Sequence, residues 1–352
     1  MTIIIFILVL LVTVIAHEWG HFYAARKSGM TVEEFGFGIP PRLFSWKRGE
    51  TVYSINALPI GGFVKIAGEN GLEEGTPGAV PSSRQFDTKP WYKKSIVLVA
   101  GVVMNIVLAF VLFTTAYTIG MPSTTADGIP TVVSVTAGGL VDSAGIEVGD
   151  TIESVIVDGV EVAELTTASL RDAISESKGS ISISYMQKGE TKVAEMTLPE
   201  TSTDRLIGVA IEPIAIVKLP LFTAMYAAWL QITSITVGIF TTLGTLIAGL
   251  FGAGGTDGLM GPVGLAREVG GAAMIGFTYL LAFTAAISVN LAVLNILPFP
   301  ALDGGRLVVV LLEALFRRRF PPNVVGIIHT IGFALLLILM LVLTVGDVGR
   351  LL

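Results

Sequence analysis

The sequence predicts a polytopic α-helical membrane protein of about four transmembrane helices, with a membrane-associated β-hairpin region and a small inserted α+β domain. Three observations carry that expectation. Of 352 residues, 52% are hydrophobic and 14% charged, well to the membrane side of globular usage. Uncharged runs recur near 3–16, 95–120, 219–250, 272–297 and 324–345, and a helix needs roughly 20 residues to cross the hydrocarbon. Polar stretches at about 28–94 and 122–218 separate the early runs from one another and from the late ones. The net charge of −6 comes with no basic stripe, so no footprint for nucleic acid is present. Cysteine is absent, which leaves His, Asp and Glu as candidate metal ligands.

Residues 1–28 form the first spanning helix. Ile3 to Ala16 carry no charge, and the helical pattern continues to Arg26 and Lys27. The run closes on AHEWGHFYAARK, residues 16–27. The segment has no basic leader, and cleavage after a small residue near Ala16 would discard or expose the histidine motif, so a retained anchor is expected rather than a secretion signal. His17 and His21 are four apart, one turn apart on one helix face, and they are two of only three histidines in the chain. Two imidazoles so placed share one tetrahedral zinc, and Glu18 beside them is the group that takes a proton from water activated there. The plain alternative is a pair of interfacial histidines near a helix end. At about 1.5 Å per residue His17 lies roughly 20 Å along the helix, beneath the membrane surface, where ionisable groups are costly and mark function.

Residues 29–94 read as a cytoplasmic region at the membrane. Stretch 31–69 alternates apolar and polar residues with Gly and Pro punctuation, which predicts short strands and hairpins. Gly36, Phe37, Gly38 and Gly61, Gly62, Phe63 are compatible with β-structure dipping to the membrane surface beside the first helix. An edge strand there would pair with an unwound peptide; a cytoplasmic hairpin packed on the helix ends is the other reading. Residues 70–90, rich in Gly, Pro and Ser, read as a loop or lid. In the second crossing, 95–121, Gly101 permits close helix approach and Asn105 a hydrogen bond across an interface. Packing suffices to explain both; a catalytic role for Asn105 is the minor alternative.

Residues 122–217 have soluble composition: a strand at 131–135, a turn, short helix and hairpin over 138–159, an amphipathic helix with a Thr cap at 166–177, and strands at 181–187, 192–198 and 207–212. Segment 218–271 is expected to lie at the interface or enter and leave as a re-entrant hairpin, with 258–270 as an irregular turn. The third crossing, 272–306, contains Asn290 and Asn295, then Pro298, Pro300, Asp303, Gly304 and Gly305. Asp303 either caps the next helix or supplies the acid that a two-histidine zinc set still lacks. Residues 307–323 read as a cytoplasmic turn, and 324–352 as the last crossing and a tail. His329 in that crossing reads as a hydrogen-bonded interior or interfacial histidine, with a fourth metal ligand as the remote alternative. Basic residues set the orientation: Arg26, Lys27, Lys89, Lys93 and Lys94, then Arg306 and Arg317–Arg319, place 28–94 and 306–322 inside, and leave 122–218 and the N-terminus outside.

HEWGH in a first spanning helix, with NILPFPALDGG near a later one, resembles the site-2 protease family of intramembrane zinc metalloproteases. GFGIP, GGFVKIAGE, KPWYKKSIVLVAGVVMN and GPVG agree with it, so the likeness covers nearly the whole chain. The wording SAGIEVGDTI, with Ala144, Gly145, Gly149 and Asp150, resembles PDZ domains of bacterial envelope proteases. One such insert is similar to the RseP and RasP group. The resemblance implies that His17, His21 and Asp303 ligate Zn2+ and that Glu18 is the base. It implies that Asn295, with Asn290, holds substrate or the oxyanion, and that Gly61, Gly62, Phe63, Val64 and Lys65 clamp the substrate backbone. It also implies a bacterial cytoplasmic membrane with the active site toward the cytoplasm. Implied substrates are single-spanning segments already shortened outside, such as anti-sigma factors or remnant signal peptides. The PDZ-like domain would bind peptide ends or exclude bulky substrates. Alternatives are a membrane PDZ scaffold that captures peptide ends without cleavage and, last, a zinc transporter, which the gathering of polar groups on one side disfavours.

Overall fold

A computed structural model describes residues 2–69, 80–136, 139–175, 177, 179–187, 189–197, 208–250 and 261–349. The chain divides into two compact units, the first made of Met1–Thr115, Leu221–Gly270 and Leu281–Asp347. Helix α1 spans Thr2–Lys27 and ends on Arg26 and Lys27, where cations suit the negative end of the helix dipole. Strands β1 (Val32–Arg48) and β2 (Thr51–Ile66) come next as one antiparallel pair. Both are long and bend back, so the register is double. Residues Glu34 to Phe37 pair with Gly62 to Lys65 on one side and with Val52 to Ile55 on the other, and the latter stretch pairs again with Phe44 to Lys47. The short strands expected from the alternation are therefore four ladder segments in two bent strands, and 62–65 lies at the sheet's edge. Of the 70–90 loop, 70–79 lie outside the described residues, while 80–90 hold a short 3-10 turn at Ser82–Arg84.

Helix α2 is Trp91–Ile119. Below the histidines, Phe22, Ala25, Met30, Val32, Ile66, Phe86, Val97, Leu98 and Val310 form a buried cluster. It ties the end of α1 to the sheet and to the start of α2, so the geometry of the motif helix rests on ordinary apolar packing.

The second unit, Ala116–Pro220 with Gly271–Leu280 and Val348–Leu352, holds the inserted domain. Its elements are β3 (Met121–Val135), α3 (Leu140–Ser143), β4 (Thr151–Val157), β5 (Val160–Glu161), α4 (Thr167–Ser175), β6 (Ser180–Gln187), β7 (Glu190–Thr197) and β8 (Val209–Val217). The sheet order is β7-β6-β4-β3-β8, with β5 beside β4. Val132, Val141, Ile152, Val155, Leu170, Ile181, Ile183 and Ile211 fill its core. The expected Thr cap is present: the Ser169 N–H donates to Thr166 Oγ1 at 3.3 Å and the Thr166 N–H to Ser169 Oγ at 3.2 Å. Such a reciprocal cap is worth about 1 kcal/mol to a short helix.

Helix α5, Leu221–Leu250, is continuous and lies within the segment expected at the interface or as a re-entrant hairpin. Two differences from expectation concern the rest of the C-terminal part. The turn expected over 258–270 is, within its described part, a helix, α6 (Pro262–Ile275), parted by Gly276 from α7 (Phe277–Ile296). Pro262 suits a first helical position, and the Asp347 carboxylate, remote in sequence, accepts from the Gly261 and Gly264 N–H groups at 3.2 and 2.7 Å. Finally, the expected 307–323 turn is largely helix α8 (Asp303–Phe316), and α9 (Pro322–Gly349) runs past the expected end of the last crossing. Among the described residues, five helical segments are long and apolar enough to cross a membrane: Thr2–Lys27, Trp91–Ile119, Leu221–Thr245, Phe277–Ile296 and Asn323–Asp347, of which Leu221–Thr245 is the least apolar.

Candidate metal centre

His17 and His21 leave α1 on one face, and both are buried. Asp303, the first residue of α8, reaches them from far along the chain, 282 positions beyond His21. His17 Nε2 lies 3.0 Å from Asp303 Oδ2, His21 Nε2 lies 3.1 Å from the same oxygen, and the two nitrogens are 3.1 Å apart. Among the described residues these three form the one group of His, Cys, Asp and Glu side chains able to hold a metal ion.

The donor set fits zinc. Four ligands at 2.0–2.1 Å on a tetrahedron stand about 3.3 Å from one another, so the three atoms need to open by only a few tenths of an ångström. His21 Nδ1–H donates to the Val97 carbonyl at 2.8 Å, which leaves the Nε2 lone pair aimed at the shared centre. Three lone-pair atoms facing one point repel each other unless a cation or protons lie between them. Two histidines and one carboxylate with a position left open is a catalytic zinc set. As for the capping alternative, α8 is preceded by Leu302 with no side-chain cap bond, and the Asp303 carboxylate turns to the imidazoles.

Glu18 lies on the next position of α1. A Cβ built on Gly62 would stand 3.0 Å from Glu18 Cγ and 2.8 Å from Val14 Cγ1. The absence of a side chain at Gly62 thus lets β2 lie against the motif helix at its glutamate. Gly61, with φ of +82°, starts this segment, and Phe63, Val64 and Lys65 continue it along the sheet edge. Lys65 pairs with Glu33 at 2.7 Å. Asn295 approaches the centre, its Nδ2 3.4 Å from His17 Nε2. Asn290 does not: it is exposed, five residues and roughly 140° around the helix from Asn295. Asn105 is fully buried in α2, its side-chain nitrogen and oxygen lacking hydrogen-bond partners among the described residues, while its carbonyl accepts from Ser288 Oγ at 2.9 Å.

Two glycines shape the site without chemistry of their own. Gly20, inside the HEWGH motif, faces Ala100 and Gly101 of α2 so closely that a Cβ would strike the α2 backbone. Gly101 lies under the imidazoles, where a Cβ would overlap His21 Nε2 and approach His17 Cε1 to 2.7 Å. On the sequence alone Gly101 is a packing residue and Gly20 has no assigned part; the available signal is a small residue inside the motif and another in the next helix. Replacing Gly101 with Ala is expected to displace both rings and weaken zinc binding at least about tenfold, the scale of changes just outside a metal's ligands. Competition with a chelator on the purified chain measures it, and unchanged affinity would remove Gly101 from the site.

Residues 5–339 match peptidase family M50. A Clostridium acetobutylicum protein provisionally named a zinc metalloprotease is 34% identical, the alignment covering 98% of this chain and 97% of that protein. A similarly named Clostridium perfringens protein is 33% identical over 95% of each chain. The zinc metalloprotease RasP of Shouchella clausii is 29% identical over 99% of each.

Proposed function

The chain belongs to peptidase family M50, the site-2 proteases, and from that premise we propose that this integral membrane zinc metalloprotease hydrolyses peptide bonds inside transmembrane segments of single-pass proteins already truncated outside. The observation that carries the reading is the convergence of His17, His21 and Asp303 next to Glu18, the histidines and the glutamate lying in a helix long and apolar enough to span and Asp303 at the start of the short helix that follows α7.

His17, His21 and Asp303 would hold a zinc ion, which would supply Lewis-acid chemistry: polarisation of a carbonyl and a water pKa lowered to about 7. Glu18 takes the proton of the attacking water and returns it to the amine that leaves as the C–N bond breaks. Asn295 Nδ2, next to His17, donates to the developing oxyanion. A helical peptide bond is shielded by its own backbone bonds, so the substrate must unwind locally. The edge segment 61–65 beside Glu18 then offers backbone groups to the unwound stretch, as an added strand does. Water must reach this site; in this reading the cavity of about 670 Å3 lined in part by Glu69, Asp87, Lys94, Arg306 and Arg319 opens on the cytoplasmic side.

Parity supports four crossings, α1, α2, α7 and α9, with α5 along the outer interface. Asp303 meets the histidines near the inner end of α1, so α7 runs in the same direction as α1 and opposite to α2. The chain must then leave α2 and enter α7 on the same side. Helix α6 has 14 residues, about 21 Å, too short to return across the membrane after a crossing by α5. Because the chain lacks cysteine, single cysteines report cleanly. Lys218→Cys and Arg267→Cys are expected to react with an impermeant maleimide from outside, and Arg317→Cys only after permeabilisation. Labelling of Arg267→Cys only from within would put α5 across the membrane.

The outer domain, as one PDZ-like insert, acts in this reading as a filter against bulky substrates. Strand β8 is the edge next to α4. Val132, opposite Ile211, spends its N–H and carbonyl on Asp150 and Gly149, so those of Ile211 face outward. There Ile211 N–H donates to Thr167 Oγ1 at 2.8 Å and the Thr167 hydroxyl donates to the Ile211 carbonyl at 2.9 Å. A peptide adding to β8 would have to displace that side chain, which favours exclusion over capture.

The test is co-expression with single-pass proteins truncated outside, comparing the natural chain with Glu18→Gln. A membrane fragment formed equally by both would overturn the proteolytic reading.

A further inference from the structure

The turn that delivers Asp303 is held by a side chain outside every role described above. Between Ile296 at the end of α7 and Asp303 at the start of α8 runs LPFPAL. Its two prolines carry no N–H. Leu297 donates to the Leu294 carbonyl at 3.1 Å, Phe299 to Leu297 at 2.7 Å and Leu302 to Phe299 at 3.2 Å. The remaining N–H, that of Ala301, donates to Nδ1 of His329 on α9 at 3.0 Å. Ala301 has φ of +78°, in the left-handed region that disfavours any residue with a Cβ. The strained residue and the remote acceptor therefore coincide, two positions before the carboxylate. One turn along α9 on the same face, Gly332 is buried, and a Cβ there would strike Pro300. Helix α9, largely exposed elsewhere, closes on the turn through these two positions.

We propose that His329 is a positioning residue of the metal centre: by accepting the Ala301 N–H it holds the turn in the left-handed conformation that aims the Asp303 carboxylate at His17 and His21. The inference rests on the reading of Asp303 as a ligand. Nδ1 must be bare to accept, so the proton of this neutral ring is on Nε2, and His329 acts through the backbone rather than on a metal. Without the acceptor, the Ala301 N–H loses its fixed partner on α9, and Ala301 relaxes toward negative φ, swinging Asp303 away.

The experiment measures zinc affinity of the full chain in detergent by chelator competition, for the natural sequence, Asp303→Ala, His329→Asn and His329→Leu. Asn and Leu branch at the same atom and have nearly the same shape, but only Asn places an acceptor where Nδ1 stood. The Leu variant is expected to bind zinc about tenfold more weakly and the Asn variant to stay within about threefold of the natural chain. Equal affinities for the two variants would overturn the inference. Should the Leu variant fail to accumulate, the Asn variant decides: retained affinity supports the role of the acceptor, and a tenfold loss refutes it. Natural affinity in Asp303→Ala would show that the ligand reading itself is wrong. Loss there with unchanged His329→Leu would remove His329 alone.

Discussion

Glu18→Gln is expected to leave zinc near one per chain while cleavage of a truncated single-pass substrate falls by about three orders of magnitude, within the 10²–10⁴ range of general acid–base catalysis. Gln has the length and shape of Glu and keeps the contacts of the side-chain stem beside Gly62 and Val14, so the site should stay formed. What it lacks is a carboxylate able to take a proton and give it back. The zinc ligands are untouched, which separates a chemical defect from a metal defect. The readout is the rate at which the membrane-bound fragment appears, with zinc measured on the same preparation. A rate within tenfold of the natural chain would leave Glu18 without its assigned part.

Asp303→Ala is the second large effect. Removing a partner just outside a metal's ligands costs about 10–100-fold in affinity, so removing one of three protein ligands should cost about 100-fold or more, with activity lost in parallel. The two imidazoles would remain 3.1 Å apart on α1, a pair too sparse to hold the ion against a chelator. Folding should survive, because the cluster around Phe22, Ala25, Val97 and Leu98 packs independently of the carboxylate. Full zinc occupancy in this variant would strike Asp303 from the centre.

Much of this site can be read along the chain because its parts are local. HEWGH declares itself through a spacing of four on a helix, and Asn295 and Asp303 through polar residues and prolines in an apolar run. The alternating stretch 31–69 is recognisable as β-structure, but not its double register: which segment lies at an edge depends on how a strand bends and on what pairs with each side. Helix α6 is hidden for a related reason. The group that caps it, Asp347, lies more than 80 residues away, and the local signals of glycine and proline point to a turn.

Helix period, hydropathy and charge at the ends of runs act over a few residues. They are enough to announce a membrane protein with a histidine pair and a glutamate at depth, and a family whose members are zinc proteases. Closing the metal site requires contacts between distant segments: a carboxylate 282 positions away brought to His21, two glycines that let α1 and α2 approach at the imidazoles, and a histidine on α9 holding the turn before Asp303. Such contacts arise from packing among elements far apart in the chain, and nothing in the local spacing of residues encodes which surfaces will meet.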